Sequence, residues 1–192
     1  MDGAQVDRII EAIWPPEAAP WPSVWAILDA ARDERIFPAL QSSRLEYVCL
    51  YSGKLPDALM RAAPYLVELA PSYTFTRPLL RMGWGNSWGV FLKTRDSRNL
   101  RHHLRGFLRV QDEAGRKLVF RYYDPRVLRI YLPTCEKGEL ETVYGPVDSY
   151  LMEGAQGESL IEYAFDGQRL HEHRTPLASP SDTPADRTTA QG

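Results

Sequence analysis

Long apolar runs are missing from this chain: nowhere in its 192 residues is there anything near the ~20 consecutive apolar positions that cross a bilayer. No secretory signal is expected either, because residues 1–14 carry Asp2, Asp7 and Glu11 and no unbroken apolar core. Together these absences make the cytoplasm the expected location. Cysteine is scarce, with only Cys49 and Cys135, far apart, so no disulfide framework is implied. Cys49 lies in the apolar run Tyr47-Val48-Cys49-Leu50-Tyr51, where a buried, reduced thiol is expected. Neither sign of charge is in excess: a formal net charge of −2 gives no global attraction to nucleic acid or to an anionic membrane.

Common chemical motifs are absent as well. The segment Gly83-Trp84-Gly85-Asn86-Ser87-Trp88-Gly89 is glycine-rich but lacks the Gly-Lys-Ser/Thr ending that holds phosphate and magnesium. No Gly-x-Ser-x-Gly elbow occurs. His102-His103 and His171-x-His173 do not have the i, i+4 spacing of common metal sites. No cofactor, metal, small-molecule substrate or catalytic residue is therefore expected. An enzyme using Cys135 or the histidines stands as the alternative.

What is present is the composition of an average globular protein, 44% hydrophobic and 25% charged, enough for one core. Val6, Ile9, Ile10 and Ile13 fall at i, i+3, i+4, i+7 and make residues 1–14 an amphipathic helix, stopped by Pro15 and Pro16. Strands are expected at 24–28, 47–51, 65–69 and 89–94, with short helices at 57–62 and 75–81. A helix from Asp96 or Ser97 to about Leu108 has Leu100, Leu104, Phe107 and Leu108 on one face. A hairpin is expected over 109–123, and Asp124-Pro125 reads as N-cap and first position of a helix reaching Leu132. Residues 149–152, 160–165 and 168–173 complete a β-rich end, with Asp166-Gly167 as a turn. The expected fold is mixed α/β (α+β), a central sheet of five or six strands with helices packed on it and a C-terminal hairpin. One domain is expected over 21–174, after an N-terminal helix and Pro-rich linker at 1–20. A Pro/Ser/Thr/Ala-rich tail at 175–192 is expected to be disordered.

Two groups of residues are candidates for recognition. Trp84 and Trp88 read either as core or as interaction anchors. At 120–128 a strand is expected to run into the Asp124-capped helix, placing Arg121 and Tyr123 on one face and Phe120 and Tyr122 on the other. Arg126 and Arg129 are neighbours at i, i+3 on that helix. Asp124 and Pro125 thus read as a structural corner; Arg121, Tyr123, Arg126 and Arg129 offer planar guanidinium groups for a carboxylate or backbone of a partner. The basic series Arg98, Arg101, Arg105 and Arg109 reads as a solvated helix face, with an acidic protein or a nucleic acid as other occupants.

Five segments in order carry a resemblance. They are Trp25-Ala26-Ile27-Leu28-Asp29-Ala30-Ala31-Arg32, Ala63-Pro64-Tyr65-Leu66-Val67-Glu68-Leu69, the Gly83 to Gly89 segment, the helix at 100–110, and Phe120-Arg121-Tyr122-Tyr123-Asp124-Pro125-Arg126-Val127-Leu128. Over residues 21–153 the chain resembles the bacterial type VI secretion effector adaptors, also called effector chaperones, whose shared domain was long labelled as of unknown function. The resemblance implies a non-catalytic protein that binds a toxic effector and helps load it onto the secretion spike protein. Many members carry a further helical lobe, in whose place this chain has a short β-rich end.

Overall fold

A computed structural model of the chain describes residues 1–111 and 115–177. Most of the expected tail, 178–192, lies outside the described residues, as do positions 112–114 of the hairpin loop. The expected tail nevertheless begins too early at 175. Thr175 and Pro176 belong to the last strand, and Leu177 is buried, its N–H on the Glu158 carbonyl and its own carbonyl on Arg8 Nε at 2.8 Å.

The fold is mixed α+β. Helix α1 (Gly3–Ile13) leads into β1 (Ser23–Asp29), α2 (Ile36–Ser42), β2 (Tyr47–Cys49), α3 (Asp57–Met60) and β3 (Pro64–Leu69). Then come α4 (Thr76–Gly83), β4 (Gly89–Thr94), α5 (Leu100–Gly106), β5 (Arg109–Gln111), β6 (Lys117–Val119) and α6 (Pro125–Tyr131). Helix α7 (Lys137–Tyr144) and strands β7 (Ser149–Glu153), β8 (Ser159–Phe165) and β9 (Leu170–Pro176) close the described chain.

Seven strands form one sheet in the order β2-β3-β1-β4-β7-β8-β9, and every neighbouring pair is antiparallel. The sheet is larger than expected because the C-terminal strands join it through β7 on β4 instead of forming a separate hairpin. Helices cover both faces. Val24, Ala26 and Leu28 of β1 pack with Val6, Ile9 and Ile13 of α1, Leu40 of α2 and Leu79 of α4. Ile27, from the opposite face, packs with Leu100 and Leu104 of α5, Leu128 of α6 and Leu140 of α7. Burial from both sides explains the near-continuous apolar character of β1, β3 and β4. The segment 1–20, read as an extension of the domain, thus shares its core through α1. Gly89 is required where β4 meets β1, because a Cβ there would collide with the Ile27 carbonyl.

Local differences have local causes. Asp96 does not cap α5; its carboxylate accepts from the backbone N–H and guanidinium of Arg98, and the helix starts only at Leu100. Helix α7, unforeseen in the sequence, begins where Glu136 N–H donates to the Glu139 carboxylate at 2.8 Å, half of a capping box. Residues 120–123 are not a strand. After β6 the chain turns sharply into α6, with both tyrosines directed inward.

Candidate functional site

The turn at 120–124 sits against one end of the sheet, where β1 finishes at Asp29 and β7 at Glu153. Asp124 has extended backbone and accepts the Arg126 N–H on Oδ1 at 2.9 Å, the expected N-cap, while Pro125 occupies the first helical position with no N–H to satisfy. The same carboxylate takes a forked ion pair from Arg126, Nη2 to Oδ2 at 2.6 Å and Nε to Oδ1 at 3.0 Å. Its side chain is 6% exposed and that of Arg126 50%, so a buried anchor holds an exposed cation in a fixed plane. Burial alone would raise the Asp124 carboxyl. The Arg126 hydrogen bonds outweigh it and leave the group below the ordinary aspartate value.

Behind this pair lies Asp29, 2% exposed, accepting the Ala31 N–H at 3.1 Å. Burial pushes its carboxyl up, opposed by the nearby Arg121 and Arg32 charges and reinforced by Asp124. Around the two buried aspartates stand three exposed arginines, Arg32, Arg121 and Arg126, and Arg35 is exposed nearby in sequence. Arg32 Nε donates to the Asn86 carbonyl at 3.1 Å. Arg35 pairs with Asp33 at 2.6 Å and lies over the Trp88 ring, 5.3 Å from its centroid. Arg126 also rims an open groove of about 620 Å³ along α6, lined by Phe120, Val127, Ile130, Tyr131 and Thr134. Ile130 is 71% exposed, the most exposed of the large apolar side chains described, with Leu118 and Val119 of β6 exposed as well.

On the opposite flank of this end, Glu153 closes the glycine-rich turn. Its carboxylate accepts from the backbone N–H of Gly85 at 2.6 Å and of Ser87 at 2.9 Å, and from the Ser87 hydroxyl at 3.3 Å. Burial raises this carboxyl against the lowering by those donors. Trp84 donates its indole N–H to the Gly157 carbonyl at 3.0 Å, pinning the turn to the β7–β8 connection.

The sequence candidates therefore separate. Arg121 and Arg126 are exposed and available. Arg129 is half-buried, its guanidinium donating to the Glu153 carbonyl at 2.9 Å. Tyr123, Trp84 and Trp88 are buried in the two cores and present no surface for a partner in this structure. The face assignment fails because 120–123 is a turn: Tyr122 and Tyr123 both point inward, the first with its hydroxyl on the Leu104 carbonyl at 2.7 Å. Unread in the sequence were Asp29, Arg32, Arg35, Ile130 and Glu153. For Ile130 a signal existed, an isoleucine outside the apolar stripe of its own helix.

The other candidate chemistries have local explanations. Arg95 pairs with Asp148 and Arg98 with Asp96, while Arg105 donates to the carbonyls of Cys49, Leu50 and Tyr51. Arg98 and Arg105 of the basic series are thus engaged within the chain. Burial raises the Cys135 thiol, the direction opposite to an activated nucleophile, and its sulfur lies 3.4 Å from the Tyr131 carbonyl. His103 is lowered by burial and contacts the Val143 carbonyl at 3.0 Å. Among the described residues no three His, Cys, Asp or Glu side chains gather as a metal would need, and no helix is long and apolar enough to cross a membrane.

In comparison with known families, the model of a family described as a domain of unknown function, DUF4123, matches residues 24–142. No curated protein and no solved structure matches the chain. The matched stretch contains Asp29, the glycine-rich turn and the whole Asp124 corner; α1 and β7 to β9 lie outside it.

Proposed function

As the chain belongs to the DUF4123 family, we propose that it is a cytoplasmic, non-catalytic adaptor that binds a type VI secretion effector and helps load it onto the spike protein. The observation that carries this reading is the pairing of fixed, exposed arginines with an open apolar groove at one end of the sheet. Arg126 is held by Asp124 beside the Ile130 groove, and the exposed Arg121 and Arg32 add positive charge near the two buried aspartates. An apolar side chain of a partner fits the groove while its carboxylate or carbonyl oxygens take the guanidinium donors. Such a surface suits a protein segment; no nucleic acid, cofactor or small-molecule substrate enters the proposal. The ordered motifs that resemble the effector adaptors add support, since all five fall within the matched residues.

Co-expression with candidate toxin and spike proteins from the same organism, followed by pull-down, tests the role. A stable complex with an effector, and delivery of that effector to the spike, is the expected result. Failure to hold either protein would sink it.

A further inference from the structure

The two edges of the central sheet are treated differently. Edge strand β2 is only three residues long, and its exit is covered: the Arg105 guanidinium donates to the Cys49 carbonyl at 2.9 Å and, just past the strand, to those of Leu50 at 3.0 Å and Tyr51 at 2.9 Å. At the other edge β9 is seven residues long, and among the described residues nothing pairs with its outer side. An open edge of that length is a template for a further strand.

The alternation of bonded and non-bonded pairs along β8 and β9 fixes which main-chain groups of β9 face outward. Asp166 N–H donates to the Arg169 carbonyl, and Leu177 N–H to the Glu158 carbonyl, so these two pairs, at either end of the β8–β9 ladder, are hydrogen-bonded pairs. Antiparallel pairs alternate in type along the register, which makes Ala164–His171, Glu162–His173 and Leu160–Thr175 the remaining inward-bonded pairs. The main-chain groups of Leu170, Glu172, Arg174 and Pro176 therefore face outward, with Pro176 contributing only a carbonyl.

Glu172 and Arg174 are also the two charged side chains on one face of this edge, 41% and 48% exposed. Glu172 is already oriented, by Tyr163 Oη at 3.0 Å and by Arg174 Nη2 at 2.9 Å. A strand running antiparallel to β9 with the sequence of β9 itself, centred on His173, sets Glu172 opposite Arg174 and Arg174 opposite Glu172. In this register both pairs are hydrogen-bonded, as the parity demands. Registers centred on Glu172 or Arg174 instead bring like charges together at the axis. We propose that β9 is a self-complementary edge that pairs with β9 of a second copy about a twofold axis, extending the sheet through both chains. This goes beyond the adaptor reading and does not depend on it.

Sedimentation of the full chain across a range of concentrations tests the proposal. The expected wild-type result is a species of twice the chain mass at high micromolar protein. Arg174→Glu and Glu172→Arg each place like charges opposite one another in both symmetric pairs and weaken dimerisation about tenfold or more. Two further samples restore it: the double variant Glu172→Arg/Arg174→Glu, and an equimolar mixture of the two single variants, whose opposite charges face each other only across the mixed interface. Circular dichroism and melting of each variant establish that the fold is retained. A wild-type chain that stays monomeric overturns the proposal, and so does a dimer indifferent to both single substitutions or not restored by the swap.

Discussion

Glu153 and Asp124 are buried carboxylates at the same end of one sheet, and the partners each has found make one a closure and the other a display. Glu153 spends its oxygens on two backbone N–H groups and a hydroxyl, all within the turn that precedes β4. Ser87 is buried with the carboxylate and only Gly85 of the two backbone donors is exposed, while the two tryptophans of the turn go into the core. Asp124 also satisfies a backbone N–H, but its remaining acceptor capacity holds a guanidinium that is half exposed. The difference teaches that a buried acid at a chain corner becomes part of a recognition surface only when its partner is a long cation whose far side stays outside.

Removing each acid should show the contrast. Glu153→Ala leaves the buried Ser87 N–H and hydroxyl without an acceptor, and the part-buried Gly85 N–H as well, and should cost about 2–4 kcal/mol of unfolding free energy, measured by urea denaturation. Asp124→Ala removes a cap whose N–H donor can reach water at the rim, and the expected loss is about 1–2 kcal/mol. Equal losses, or a larger loss at Asp124, would break the distinction between closure and display.

The pH dependence should differ in sign. The Asp124 carboxyl is lowered in the folded state, so its contribution is present above the ordinary aspartate value and is lost as pH falls through the folded one. Asp124→Asn should therefore soften acid destabilisation relative to the wild type. The Glu153 carboxyl is raised by burial, so its linkage runs the other way: the contribution is full below the ordinary glutamate value and declines as pH rises through the folded one. Glu153→Gln should remove that decline. Melting temperature followed over the acidic range checks both, and parallel shifts in the two variants would contradict the assignment.

Much of the frame was legible in the sequence because it rests on local chemistry. Asp124-Pro125 is a cap whichever way the chain arrives, and Gly89-Val90-Phe91-Leu92-Lys93-Thr94 spells out β4 to the residue. The site was less legible because it depends on contacts distant in sequence. Glu153 lies 66 and 68 positions from its donors, and nothing near it announces a buried acid. Tyr122 and Tyr123 were misassigned for a related reason: β-rich composition suggested a continuing strand, whereas burial of both rings at α5, α6 and β7 turns the chain. Arg105 illustrates the same limit, since helical spacing placed it with a solvated stripe although its guanidinium reaches back to the β2 edge.

The smallest expected effect on folding belongs to the display itself. Ile130→Ser alters an exposed side chain and should change unfolding free energy by no more than ~0.5 kcal/mol, whereas Arg126→Ala also takes the cation from the buried Asp124 carboxylate and should cost about 1 kcal/mol. On the proposed adaptor reading, each should weaken effector or spike binding about tenfold or more, because a fixed arginine beside an apolar anchor is the arrangement on which binding energy concentrates. The corner adds a sharper requirement. If Asp124 acts on the partner only by holding Arg126 in plane, Asp124→Ala should weaken binding as well, and the double variant Asp124→Ala/Arg126→Ala should bind no worse than Arg126→Ala alone. For stability the same pair should behave differently: most of the loss comes from the missing cap, so Arg126→Ala adds little to it. Additive losses in binding would mean that Asp124 and Arg126 act on the partner independently, and the display would then rest on the groove rather than on the anchored guanidinium.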